Sequence, residues 1–138
     1  MTSHAKLDEV LKPGEGFQDL DISLGNIDSS VFLGVADTVQ VGALASCGAV
    51  ANTETMTVTL LQATDAAGTG KKVLGTAKVA TNSTGGAATL VAAVAIEVSQ
   101  MDIAGGFTFF CVRMTSNGVG VIPARAVLVS TPKDKPPA

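Results

Sequence analysis

The nearest approach to a ligand-binding motif in this sequence is Ala67-Gly68-Thr69-Gly70-Lys71-Lys72. A glycine-rich run ending in lysine could cradle phosphates with backbone N–H groups and set an ammonium against them. The phosphate-binding pattern needs glycine five residues before Gly70, however, and Asp65 stands there. It also needs Ser or Thr after the lysine to hold magnesium, and that residue is Lys72. The stretch from Lys72 to Ala80 then alternates like a strand, so no helix N-terminus follows to receive the phosphates. The run reads as a hairpin loop.

Other chemistry fares no better. The carboxylates Asp8, Glu9, Glu15, Asp19, Asp21 and Asp28 read as a solvated acidic segment, with no pair spaced for acid–base work. Nothing has the dense Asp/Asn alternation of a calcium loop. A Ser or Thr nucleophile would need a base, and the single His4 lies near the N-terminus. Cys47 and Cys111 stand far apart in neither a redox nor a zinc arrangement, and read as two small buried hydrophobes. Asn82-Ser83-Thr84 matches a glycosylation sequon, but no secretion signal supports its use: no apolar run follows Met1-Thr2-Ser3-His4-Ala5-Lys6. The expectation is a protein that is not an enzyme and takes no cofactor and no metal.

Composition narrows the remaining classes. Charged residues are 15% of the 138, against about 25% in an ordinary domain. Hydrophobic residues reach 46% and net charge is only −3, which argues against disorder along the whole chain. Nucleic-acid binding is disfavoured, because the chain is mildly acidic and its only aromatics are five Phe. A membrane role is disfavoured too, since no apolar run approaches the roughly 20 residues a spanning helix needs.

The elements that must present any working surface divide into three parts. Residues 1–19 form an arm, helical or extended, with Leu7, Val10 and Leu11 at helical spacing until Pro13-Gly14. Two turns of helix are not stable alone in water. The arm therefore docks on its own domain, docks on a neighbouring subunit, or frays.

From about 20 to 130 the period changes to two. Thr55-Met56-Thr57-Val58-Thr59-Leu60 sets three apolar residues against three threonines, the pattern of a half-buried strand. Leu20, Ile22 and Leu24 alternate, as do Val94, Ile96 and Val98. Further strands are predicted over 31–34, 38–44, 73–80, 107–115 and 121–130. The stretch Phe107–Val112 is apolar on both faces and predicts a central strand. Pro123 predicts an edge or a bulge in the last one. About eight short strands joined by Gly-, Asn- and Ser-rich turns point to an all-β, jelly-roll-like antiparallel sandwich. Residues 131–138 predict a proline-rich extended tail.

Three stretches resemble the capsid cement, or decoration, proteins of tailed bacteriophages. They are Thr55–Gln62 running into Ala63-Thr64-Asp65-Ala66-Ala67-Gly68-Thr69-Gly70, the junction Met101-Asp102-Ile103-Ala104-Gly105-Gly106-Phe107, and the closing strand Ala124–Val129. The resemblance implies a structural jelly-roll domain, made in the host cytoplasm, that sits on the outside of the capsid. It implies that the domain bridges neighbouring copies of the major capsid protein and associates with itself, a homodimer being favoured over a trimer. Binding only the assembled lattice would stabilise that lattice by mass action. From the composition of the two ends, Leu7, Val10, Leu11 and Phe17 are the expected anchors on a neighbour. Lys133 and Lys135 are expected to run along an acidic capsid face. Two other classes share the pattern: a phage tail, neck or head-fibre component, and a cellular β-sandwich interaction module.

Overall fold

The computed structural model describes residues 20–30 and 32–133. Its strands are β1 (Leu20–Asp21), β2 (Ile27–Asp28), β3 (Leu33–Gly34), β4 (Thr38–Val50), β5 (Thr55–Ala63), β6 (Lys72–Thr81), β7 (Ala88–Glu97), β8 (Phe109–Ser116) and β9 (Pro123–Pro132). They form two antiparallel sheets, ordered β1-β9-β4-β7 and β2-β8-β5-β6, with β3 also pairing β8. β2 and β3 lie along the same strand, at Met114–Arg113 and Phe110–Phe109, so they act as one interrupted strand. Ser29 spans the break: its amide donates to the Val112 carbonyl at 2.9 Å and its hydroxyl accepts from the Val112 amide at 3.3 Å.

The pairing has a simple logic. β5 pairs β6, β4 pairs β7, β2 and β3 pair β8, and β1 pairs β9. That is one long hairpin folded at the β5–β6 turn. Rolling it brings β9 beside β4 and β8 beside β5, which closes both sheets. The result is the jelly roll, with the two sheets enclosing one core. Alternating residues supply that core from both sides: Val41, Ala43 and Ala45 with Ala126 and Leu128 from one sheet, Met56, Val58 and Leu60 with Phe110, Val112 and Met114 from the other.

Several elements depart from the sequence reading. The alternation of Leu20, Ile22 and Leu24 breaks after Asp21, where a 3-10 turn covers Ile22–Leu24. The Asp21 carboxylate accepts from the Ser23 amide and hydroxyl at 3.2 and 2.6 Å, a local bond that ends the strand. Ile22 is buried and Leu24 is 76% exposed. β4 runs six residues past Leu44, because its small residues Ala45, Ser46, Cys47 and Gly48 suit a strand flanked on both sides.

Pro123 marks neither an edge strand nor a bulge. β9 lies inside its sheet, and Pro123 is its first residue, beyond the last pair with β4 at Cys47–Ala124. Pro123 pairs only with Asp21 of the two-residue β1, so its missing donor takes nothing from the β4 ladder. β9 also continues through Thr131 and Pro132, paired to Gln40 and Thr38, so the expected tail begins in paired strand. The central strand predicted from Phe107 starts two residues later, at Phe109; from there it is central as expected, with Phe110, Cys111 and Val112 all buried.

Two glycines are fixed by geometry. A Cβ on Gly42 would stand 2.5 Å from the Val94 carbonyl oxygen, a backbone atom that cannot swing aside. Gly75 has φ +83° where the β5–β6 register shifts, and its Cβ would meet Ile96 at 2.7 Å.

Candidate interaction surface

The two outer faces of the sandwich differ in chemistry. On the β1-β9-β4-β7 sheet, outward positions carry Leu44, Val91, Ala93, Ala95, Val127 and Val129. The registers set Leu44 between Ala93 and Val127, and Gly42 between Ala95 and Val129. Val91 is 73% exposed and Leu44 48%. A shallow depression of about 370 Å³ lies among Leu44, Ser46, Val91, Arg125 and Val127. Apart from Arg125 and Glu97 the outward positions of β4, β7 and β9 carry no charge, and an apolar sheet face of this kind suits contact with another surface.

The other sheet turns outward threonines and one ion cluster. A depression of about 280 Å³ is lined by Asn26, Thr57, Thr59, Thr115 and Arg113, with Val73, Gly75 and Ala77. Beside it, Arg113 donates to Asp28 from Nε at 2.7 Å and from its terminal nitrogen at 3.2 Å. Lys71 Nζ donates to the same carboxylate at 2.8 Å. Asp28 is thus not part of a solvated acidic segment. It is the shared acceptor for a loop lysine and a strand arginine, and it ties β2 to β8 and to the β5–β6 loop. Lys71, the residue that made that loop resemble a phosphate site, is spent on this pair.

Partial burial works to raise the Asp28 carboxyl, but the hydrogen bonds from Arg113 and Lys71 outweigh it and hold the group below the usual 3.8. A lowered folded-state pKa adds stability that is present above the unfolded value and is lost as pH falls through the folded one. Asp28→Asn is therefore expected to cost about 1–2 kcal/mol at neutral pH. The gap between variant and wild type should close as urea titrations are repeated below about pH 4. A gap that stays constant to pH 2 would mean that the charge on Asp28 contributes nothing.

The connections at one end of the sandwich are bound to each other. The Thr55 amide donates to Asn117 Oδ1 at 2.9 Å and the Gly85 amide to Asn52 Oδ1 at 3.0 Å. The Ile122 amide donates to Asp21 at 3.2 Å. Asn82 is buried at the centre of this end. Its Nδ2 donates to the Val50 and Gly86 carbonyls at 2.9 and 2.7 Å, and its Oδ1 accepts from the Thr84 amide and hydroxyl at 3.0 and 2.8 Å. The sequon is thus a structural turn whose acceptor nitrogen is fully engaged. Leu24, Val119 and Val121 project from this end at 76%, 86% and 78% exposure.

At the opposite end Lys72 pairs with Asp102 at 2.9 Å and lies 4.0 Å from the centre of the Phe107 ring. The Asp102 amide donates to the buried Gln62 side chain at 2.8 Å.

Of the expected anchors, Leu7, Val10, Leu11, Phe17 and Lys135 lie outside the described residues. Lys133 is exposed, and its amide donates to the Asp37 carbonyl at 2.8 Å where the last strand ends. Cys47 and Cys111 are free and buried. Burial raises the Cys47 thiol and pushes Cys111 up to about 12, with the nearby Asp28 charge adding to the latter. Both are poor nucleophiles. Among the described residues no group of three His, Cys, Asp or Glu could hold a metal ion, and no helix is long and apolar enough to cross a membrane.

The sequence reading missed the apolar outer face as a unit. Its residues are split among three distant strands, and each strand alone reads as core on one side and tolerant on the other.

No protein-family model matches this chain, and no curated protein matches it. Solved structures with a similar arrangement include a chain of the infectious bursal disease virus particle, at 10% identity and TM-score 0.46. That match covers 89% of this chain and 30% of the viral one. A second infectious bursal disease virus structure, of the Gx strain, gives 12% and 0.43, covering 78% and 26%. A chain of cowpea mosaic virus empty particles gives 12% and 0.34, covering 73% and 62%. This chain thus spans about a third or less of the length of the first viral chains it matches. Its assignment as a jelly roll rests on its own strand order and registers.

Proposed function

We propose that this protein is a structural virion subunit. In this reading it binds the outside of a phage capsid and cements neighbouring copies of the major capsid protein, acting as a homo-oligomer without catalytic activity. The observation that carries the reading is the apolar, charge-poor outer face of β9, β4 and β7, held on a rigid two-sheet scaffold. A surface built from Leu44, Val91, Val127 and Val129 on paired strands cannot rearrange to hide itself, so it is best satisfied by another protein surface. The resemblance of Thr55–Gly70, Met101–Phe107 and Ala124–Val129 to tailed-phage cement proteins supplies the class of partner.

Many copies on one lattice multiply a modest contact energy. Expanded capsids lacking the protein, mixed with it and pelleted, should carry it down saturably. Leu44→Lys with Val127→Lys should weaken that binding by about tenfold or more while leaving the β-sheet spectrum intact. A supernatant that retains all the protein at saturating capsid would sink the cement reading and move the domain to another virion or cellular assembly.

A further inference from the structure

β7 is a ten-residue strand at the end of its sheet. β4 pairs one side of it without interruption from Gln40–Glu97 to Cys47–Leu90. Among the described residues no strand pairs the other side. An unpaired edge presents a row of free N–H and C=O groups, and folded proteins blunt such edges with lysines, prolines, bulges or extreme shortness. The other edges here are blunted. β6 carries Lys72, Lys78 and the Gly75 bulge, and β1 is two residues long. β7, Ala-Thr-Leu-Val-Ala-Ala-Val-Ala-Ile-Glu, has no lysine, no proline and one charge, at its last position.

The strand is also complementary to itself. In an antiparallel pair, directly opposite residues point to the same face, so only a two-fold axis through a residue keeps both cores on one side of a joined sheet. An axis through Ala93 pairs every residue from Thr89 to Glu97. It sets Leu90 opposite Ile96 of the second copy on the core side, and Val91 opposite Ala95 on the outer side. Glu97 falls opposite Thr89, so no like charges meet. An axis one residue later would instead place Glu97 opposite Val91.

We propose that β7 pairs antiparallel with β7 of a second copy about an axis through Ala93, joining two four-stranded sheets into one. Self-complementarity and the absence of like-charge contact favour a second copy over a foreign strand. The contact is isologous and closes at two. It rests on the self-association in the reading above and names the seam that makes it. The apolar outer face then becomes one surface running across both copies.

The test uses the full chain without capsid. Wild type should sediment as a dimer. Ala93→Cys should form a disulfide-linked dimer on mild oxidation, because the two thiols meet at the axis. Val91→Cys should not, since its two copies lie roughly 13 Å apart along the seam, beyond the roughly 7 Å a disulfide can span. Both sites are exposed, and the native Cys47 and Cys111 are buried, so the background stays silent. Val91→Lys with Ala95→Lys should weaken the dimer by about 100-fold by opposing like charges across the seam. Val79→Lys, on the β6 edge, should leave it unchanged. A monomeric wild type overturns the proposal, as does a dimer that survives the double lysine variant and gives no Ala93 cross-link. A dimer that ignores capsids keeps the seam and removes the cement reading, and a capsid-bound monomer does the reverse.

Discussion

Phe110→Ala should lower the unfolding free energy by about 4 kcal/mol, the cost of removing a large side chain from a core that cannot fully collapse. Phe110 is completely buried at the middle of the molecule. It sits on the central strand β8, opposite Leu33 on one side and Gln62 on the other. Its neighbours are on paired strands, which limits how far they can move into the vacated space. At this chain length a loss of that size lowers the melting temperature by roughly 10–15 °C. Urea unfolding followed by circular dichroism reads it directly. A loss under about 1 kcal/mol would mean that Phe110 does not fill the core as described.

Asn82→Leu is expected to cost about 3 kcal/mol, although leucine is the more apolar side chain and the site is buried. The reason is what it leaves behind. The Val50 carbonyl loses its side-chain donor and the Thr84 amide its acceptor, while the Thr84 hydroxyl is left to donate to the Gly86 carbonyl alone, at 3.1 Å. The Val50 carbonyl is buried, and a buried group without its partner costs more than the bond itself was worth. The damage also reaches the β4–β5 connection. Thr53 holds φ +73°, an unfavourable angle for a β-branched residue, with its amide donating to the Asn82 carbonyl at 2.7 Å. Calorimetric scans read the loss, and running them on Asn82→Asp as well separates shape from bonding. Aspartate keeps the acceptor but sets a carboxylate oxygen against the Val50 and Gly86 carbonyls, so its loss should be at least as large at neutral pH and shrink in acid, where a protonated carboxyl can donate again. A stable Asn82→Leu variant would show that the loops at this end hold themselves.

Much of the strand framework is visible in the chain. Period-two alternation works wherever one face is buried and the other is not. Thr55–Leu60 and Val94–Ile96 therefore read correctly, although Val98, which continues that alternation, opens a 3-10 turn, and β8 identifies itself as central because both of its faces are apolar. The method fails where a short polar side chain takes over the backbone. Asp21 turns a run that alternates into a 3-10 turn, and nothing in Leu20, Ile22 and Leu24 signals it. It fails again for β4 beyond Leu44, where alanine, serine and glycine carry too little hydrophobic contrast to show a period. Pro123 misleads for a different reason: the missing donor weakens a ladder position, and only the register shows that the first residue of β9 lies beyond β4 and pairs just the two-residue β1.

The candidate surface was less accessible. Sequence attention falls on the ends of the chain, at Leu7, Val10, Leu11, Phe17, Lys133 and Lys135, because those segments stand out from their surroundings. The outer face of Leu44, Val91 and Val127 does not stand out in any one strand. Asp28 shows the same limit in charge: beside Asp21 and Asp19 it looks solvated, yet its partners, Lys71 and Arg113, are 43 and 85 residues away.

By itself, then, the chain specifies strand-forming stretches, turns, the burial of both cysteines, and the failure of the glycine-rich loop to match a phosphate site. These are local properties, decided by side-chain volume, hydrophobic period and turn chemistry over a few residues. The rolled pairing that makes β4 the neighbour of both β7 and β9, the open edge of β7, the Asp28 cluster and the fully bonded Asn82 are decided only in three dimensions. Each depends on which distant strand comes to lie alongside, and that is settled by the joint burial of both sheets rather than by any one segment.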